Sequence, residues 1–369
     1  GSRTTRMEIS HPLPELPDAE LMSLSALWRC LGIQRVQPSV ALTVLRRLLP
    51  CLIREMQRCE LKVPPEQAQL LALHWQVFER AASALVMQED FSDRAQQLEL
   101  IEASRGLLWK LLDGGQGEAA VVRLAGHCLR ALHALARQTC WVCMFSNSND
   151  TKASLLYALT TTAAFAEPYL ARLALGVLAN AASKDTEACR AIALLPVSAS
   201  TADALLRKLG ASRDEVEVTS TAFLEVLAKA VSLSSQLLFG GDDRDEAAET
   251  KVSCALAAML LGWLVHGLPE AKPILLQRMA SLEALLDVLR TFAIFQEQCG
   301  ALTDASLLGL HEVMLCLQSP TEGAAASGPL SPERRPTEPI REETPQKLAL
   351  PTLRDVLDSK ELKALQAEP

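Results

Sequence analysis

Few residues in this chain are placed to do chemistry. The best cluster is Cys140-Trp141-Val142-Cys143, with His127 and His133 upstream. Two thiols at this spacing supply half of a structural zinc site, which needs four ligands in a tetrahedron. The two imidazoles are six positions apart, which puts them on different faces of a helix. A redox role for the thiols needs a preceding strand of the thioredoxin kind, and none is predicted. The expectation is two cysteines at the end of a buried helix, with no metal and no cofactor. His311-Glu312 lacks the second histidine of a zinc-protease helix. Gly114-Gly115-Gln116-Gly117 follows a helix and lacks the Lys-Ser/Thr of a phosphate-binding loop, so it reads as a helix end and turn. No Gly-x-Ser-x-Gly elbow or kinase signature is present. The expectation is a protein that is not an enzyme.

Charge offers a second kind of chemistry. Arg35, Arg46, Arg47, Arg54, Arg58 and Lys62 make the first long helix basic, with Glu55 and Glu60 the only acids nearby. Such a helix suits an acidic partner or a phosphate backbone. The formal net charge of −8 argues against a general nucleic-acid binder, which needs a basic footprint to release counterions. A nucleic-acid-associated factor (a subunit of a DNA-repair, chromatin or RNA complex) is therefore the alternative reading, carried by Arg46, Arg47, Arg54 and Arg58. A solvated helix face is the plain one.

The elements that position these residues are helices. Apolar residues make up 49% of the chain, enough for a sizeable core, while aromatics are only 4%. Leu and Ala dominate, and both favour close helix-on-helix packing. No run of alternating β-branched residues and no Asn-Gly turn points to a sheet. Asp18 is expected to cap a helix over about 19–31 and Ser39 one over about 40–59, which Pro50 should kink or split. Further helices are predicted at about 66–88, 92–112, 118–138, 151–164 (capped by Asp150), 168–182, 185–194, 200–209, 214–233, 247–267, 270–295 and 303–318. The five tryptophans fall within apolar stripes and are expected in the core. The longest apolar runs, such as Cys254 to Leu268, read as too short to span a bilayer. The cysteines lie within helical runs as small hydrophobes, and the chain reads as an intracellular protein of the cytoplasm, the nucleus or both.

One helix stands out. Leu170 to Ser183, LARLALGVLANAAS, is apolar nearly all round, with alanines and Gly176 in place of bulk. It must be packed on both sides. Val226-Leu227-Ala228-Lys229-Ala230 matches Val177-Leu178-Ala179-Asn180-Ala181, and Ala131-Leu132-His133-Ala134-Leu135 is a weaker copy. Repetition at this interval predicts a stack of helical units over 19–318. The run Val177 to Ala182, followed by Ala188-Cys189-Arg190-Ala191-Ile192 and Ala202 to Leu209, resembles the inner helix and succession of armadillo repeats over about residues 120–235. The flanks are equally HEAT-like. The resemblance implies an all-α, irregular armadillo/HEAT-like solenoid that binds a protein partner, folded or a short helix. It puts the partner-facing positions of the inner helices at Ala134, Asn180 and Lys229. Armadillo proteins that thread extended peptides carry a ladder of such asparagines. Only Asn180 fills that position here, so a regular threading groove is not implied.

The ends differ in composition. Residues 1–18 are Pro-rich and read as an extended segment, begun by Gly1-Ser2, which looks like an expression scar. Residues 319–351 hold seven of the nineteen prolines and read as a disordered linker. Ser319, Ser331 and Thr344 each precede a proline and are candidate phosphosites. Residues 352–369 read as a short docking helix with Leu353, Val356, Leu357 and Leu365 toward its apolar stripe, serving a partner or self-association. The whole reads as a non-enzymatic scaffold or adaptor with a tail open to phosphorylation.

Overall fold

The computed structural model describes residues 24, 26, 38–58, 65–84, 92–113, 119–145, 154–210, 221–238, 245–279, 282–300 and 302–319. The expected N-terminal segment, the linker beyond Ser319 and the C-terminal helix lie outside these residues. So does the expected helix over 19–31, save for Leu24 and Ala26.

The described part is all-α. Its fourteen helices are α1 (Pro38–Arg58), α2 (Pro65–Ala84), α3 (Arg94–Leu112), α4 (Ala119–Leu135), α5 (Thr139–Phe145), α6 (Leu155–Phe165) and α7 (Pro168–Ala182). They continue as α8 (Thr186–Ala193), α9 (Ala199–Lys208), α10 (Phe223–Leu238), α11 (Asp245–Gly267), α12 (Ala271–Arg278), α13 (Leu282–Gln298) and α14 (Asp304–Gln318). The only strands among the described residues are two-residue pieces, β1 (Pro196–Val197) and β2 (Thr221–Ala222), paired antiparallel.

Several boundaries depart from the sequence expectation. Pro50 does not split α1, which runs through it from Pro38, with Ser39 inside its first turn. Pro50 is half-buried and Arg46, one turn before it, is exposed, so the missing amide falls toward the solvent side of the helix. The expected 118–138 helix ends at Leu135. A tight turn follows, with Arg137 N–H donating to Ala134 O and Gln138 N–H to Leu135 O, before α5 begins. The cap of α6 is Ser154, whose hydroxyl accepts from Tyr157 N–H; Asp150 lies outside the described residues. The expected 270–295 helix is two. Buried Met279 takes an extended conformation and ends α12, and α13 starts at Leu282. Likewise α10 begins at Phe223, where β2 hands over.

The helices stand in two facing sets. In the first, α2, α4, α7, α11 and α14 lie side by side, each packed on the next. The second is formed by α1, α3, α6, α9, α10 and α13 in succession. The two sets back onto one another through α1 on α2, α3 on α4, α6 on α7, α10 on α11 and α13 on α14. Between them lies one continuous core of Leu, Ala, Val and Phe side chains. Short α5, α8 and α12 bridge the ends: α5 packs on α3 and α8, α8 on α7, α10 and α11, and α12 on α10 and α11.

Within the front set the chain direction is kept. Gln76 meets His127 and Glu79 meets Arg130, each pair 51 residues apart. Gly126 lies against Tyr169 and Gly176 against His133, again at one common interval. Equal offsets at successive levels mean that α2, α4 and α7 run parallel. Helix α11 joins them through Arg172–Glu249 at one end and Cys189 at the other, whose thiol reaches Ala182 O at 2.9 Å and Trp263 O at 3.7 Å.

The stretch Glu249–Gly267 of α11 is long and apolar enough to cross a membrane by length and composition, contrary to the sequence expectation for this run. In the structure 61% of that window is buried, against α7, α10, α13 and α14. It is the core helix of a packed protein.

Close contact between α11 and α14 rests on Gly262. A methyl added there would come within 2.1 Å of Val313 Cγ1, a buried and stiff side chain. Gly106 in α3 is the contrast: an added methyl meets nothing within 4 Å, beside a pocket lined by Met56, Leu71 and Lys110. Gly262→Ala is expected to cost about 1–3 kcal/mol by overpacking. Gly106→Ala is expected to add up to about 1 kcal/mol through helix propensity. Urea unfolding of both variants checks the pair; equal effects would mean that the α11–α14 contact is slack.

Candidate functional site

The outward face of the front set brings polar side chains of neighbouring helices together, His127 buried and the others part-exposed. Polar links cross it from α2 as far as α11. From α2 to α4, Gln76 bonds His127 and Glu79 bonds Arg130 Nε at 3.1 Å. From α4 to α7, Arg130 also reaches the Tyr169 hydroxyl, and Asn180 Nδ2 donates to His133 O at 3.2 Å. From α7 to α11 the link is Arg172–Glu249 at 3.5 Å. Such part-exposed ion pairs contribute little stability each, at most about 1 kcal/mol, so their effect is chiefly to fix register.

His127 sits at the tightest of these crossings. Its Nδ1 faces Arg130 Nη2 and its Nε2 faces Gln76. Arginine can only donate, so Nδ1 accepts and the ring proton is on Nε2. Gln76 then meets that N–H with its amide oxygen, which a half-turn of the amide provides. An imidazolium has no place here: burial, then Arg130 and Arg123, lower the His127 pKa to about 4. His133 leaves one face open to solvent, while its ring lies on Gly176, 3.2 Å from where a Cβ would stand. Its pKa is also lowered, by the surrounding protein and by Arg137.

The cysteine pair lies elsewhere, off the front set. Cys140 and Cys143 lie on α5, and the exposed Cys143 thiol donates to Cys140 O at 3.2 Å. Burial first, then Asp185, raises the Cys143 pKa, the opposite of what activates a thiol. His127 and His133 are engaged on the front face instead. Among the described residues no three His, Cys, Asp or Glu side chains gather as a metal site.

The positions expected to face a partner are dispersed. Ala134 is buried in α4 and Asn180 is half-buried in α7, neighbours in the front set. Lys229, matched to them by sequence, stands half-buried on α10, in the back set. The helix seated beside α7 is α11, which lacks the repeated motif. Of the basic residues of α1, Arg46, Arg47 and Arg54 are exposed, and Arg58 lies in its last turn. Ser319 is the exposed C-cap of α14; its hydroxyl donates to Cys316 O, and its carbonyl accepts from Lys272. Ser331, Thr344, Leu353, Val356, Leu357 and Leu365 lie outside the described residues. Of the tryptophans, Trp75 and Trp141 are buried, whereas Trp109 and Trp263 are half-exposed.

Two features of the face were missed in the sequence. Arg123 and Arg130 stand seven residues apart on one side of α4, and Arg137 follows in the turn beyond its end; Arg123 and Arg137 are exposed. No Asp or Glu occurs from 119 to 149. Two helices on, Val252, Leu256, Met259 and Trp263 are the half-exposed side of α11, in a stretch without charge from Val252 to Gly267. The heptad of arginines was the available signal. The α11 stripe had none, because that helix is apolar all round.

The neutral His127 gives a pH dependence of known sign. Between about 4 and the ordinary 6.5 the unfolded chain binds the proton and the native chain does not. Its contribution to stability is complete above pH 6.5 and lost as pH falls toward 4, with His133 acting in the same direction. Urea midpoints measured from pH 7 to pH 5 are expected to fall, and His127→Gln to flatten the slope; an unchanged slope refutes the assignment. As to kinship, no protein-family model matches the chain, and no curated protein does.

Proposed function

We propose that this chain is a non-catalytic protein-interaction scaffold, an irregular armadillo/HEAT-like solenoid that presents its front face to a protein partner. The observation that carries this is the succession α2, α4, α7, α11, α14, each packed on the next and held in register by side-chain links from α2 as far as α11. Stacked units that touch only their neighbours leave a long face uncovered, and binding is the common use of such a face. The mixed character of that face, with arginines, half-exposed Tyr and Trp, and aliphatic side chains, is the composition of binding surfaces. The proposal extends to the tail: Ser319, Ser331 and Thr344 as phosphorylation sites, and residues 352–369 as a docking helix for a partner or a second copy. The protein would work in the cytoplasm, the nucleus or both.

The nucleic-acid alternative rests on Arg46, Arg47, Arg54 and Arg58 of α1, the opposite set of helices. It separates cleanly from the first reading, because Arg46→Glu with Arg47→Glu would abolish salt-dependent DNA or RNA binding and leave the front face untouched.

The test is proximity capture from cells with the full chain, the front-face variant Arg137→Glu with Met259→Gln, and a chain lacking residues 320–369. Loss of a common group of bound proteins from the front-face variant, with its melting temperature unchanged, is the expected result. Recovery of the same proteins at full yield would take the front face out of the function. Unchanged recovery and self-association on deleting the tail would take out the tail.

A further inference from the structure

Resting on the proposed use of the front face, we infer the chemistry of the partner: a peptide segment with carboxylates at one end and large apolar side chains at the other, laid across α4, α7 and α11. The face is not uniform along its length. At α4 it is basic, with Arg123 and Arg130 on the helix, Arg137 in the turn that follows it, and no acid in the sequence from 119 to 149. Glu79 engages Arg130 from the α2 side, which leaves Arg123 and Arg137 as the exposed guanidiniums.

The two histidines on this helix are held neutral and cannot add charge. The guanidiniums are therefore the whole of its positive field, and that field does not fade near neutral pH. At α7 the face turns amphipathic, with exposed Tyr169 and half-buried Leu173 and Asn180. Arg172 is engaged there by Glu249. At α11 it is apolar, with Leu256, Met259 and Trp263 each leaving part of its side chain in water.

This polarity selects the partner. A purely apolar helix would bury nothing against the arginines and strip them of water without replacement. A nucleic acid would find no lysine or arginine over Val252–Gly267 of α11 to match its evenly spaced phosphates. A segment carrying both chemistries satisfies both ends, by bidentate arginine–carboxylate pairs at one and area burial at the other. Adjacent helix axes lie about 10 Å apart, so α4 to α11 spans about 20 Å. An extended chain covers that in about six residues. The acidic and apolar clusters of the partner are accordingly about six positions apart.

The experiment is a selection of random peptides of about twelve residues, displayed on phage, against the immobilised full chain. One selected peptide is then titrated by fluorescence anisotropy. Selected peptides should carry two or more Asp or Glu about six positions from a Leu, Phe or Trp pair. Arg123→Glu with Arg137→Glu should weaken binding at least about tenfold, and so should Leu256→Ser with Trp263→Ser. Met259→Gln is the gentler apolar variant should that pair unfold, with melting curves as the control.

Selected peptides without acids, or affinities within about twofold across the variants, overturn the inference. So does failure to select any peptide. So does a DNA duplex that binds through Arg123 and Arg137 at near-physiological salt when acidic peptides do not. Non-acidic peptides that still need Met259 sink only the partner chemistry and leave the scaffold reading in place. Peptides indifferent to every front-face variant, together with undiminished partner capture, sink both.

Discussion

Parallel helices come closest where something small separates their backbones. At two of the four joins of the front set, α4–α7 and α11–α14, that spacer is glycine. Gly126 of α4 receives Tyr169 and Leu170, Gly176 of α7 receives the ring of His133, Gly262 of α11 receives Val313, and Gly309 of α14 receives Trp263. Each takes a side chain from the next helix of the set into the space its missing methyl leaves. The contacts run in both directions at α4–α7 and at α11–α14, so neither helix of a pair can move off without emptying a site on the other. The front face inherits its geometry at those two joins from these seats.

Helix α11 shows how far the arrangement departs from simple succession. Five elements of chain come between α7 and α11, yet the two are packed as closely as any neighbours in the set. The join is made at the far end by Cys189 of α8, which bonds to Ala182 O and approaches Trp263 O while occupying the space over Gly267. Burial, with a smaller effect from Asp185, pushes that thiol up to about 12. It is thus protonated, a hydrogen-bond donor and an inert wedge. Helix α10, displaced to the back, carries the sequence motif that would have marked it as the next front helix.

That displacement explains what the sequence could and could not reveal. The all-α class followed from composition and periodicity, and LARLALGVLANAAS was legible as a helix packed on both sides because ten of its α7 residues are buried. The pairing of Val226–Ala230 with Val177–Ala181 was a true local likeness with no power over which helix would stand next to α7. Caps decided by a single hydroxyl, such as Ser154, competed with several equally good polar residues nearby. The end of α12 depended on Met279 turning into the core, a tertiary effect. At the site, Asn180 was singled out for its side-chain amide, and its amide is committed to His133 O, 47 positions away. The arginine line of α4 was within reach of the eye, but its meaning depends on α7 and α2 flanking it, which no local pattern encodes.

Parallel order also aligns the peptide dipoles of the front helices, so like poles gather along each long border of the molecule. Two ends of one sign at close quarters repel, and cations at the carboxyl border relieve this. Arg137 follows the end of α4, Lys184 follows α7, and Lys272 reaches the last carbonyls of α14. Glu167 precedes α7 and Asp304 opens α14 at the other border. The stack therefore has a front and a back, and also an electrically distinct top and bottom. Anything that crosses it from one border to the other meets a graded potential before it touches a single side chain.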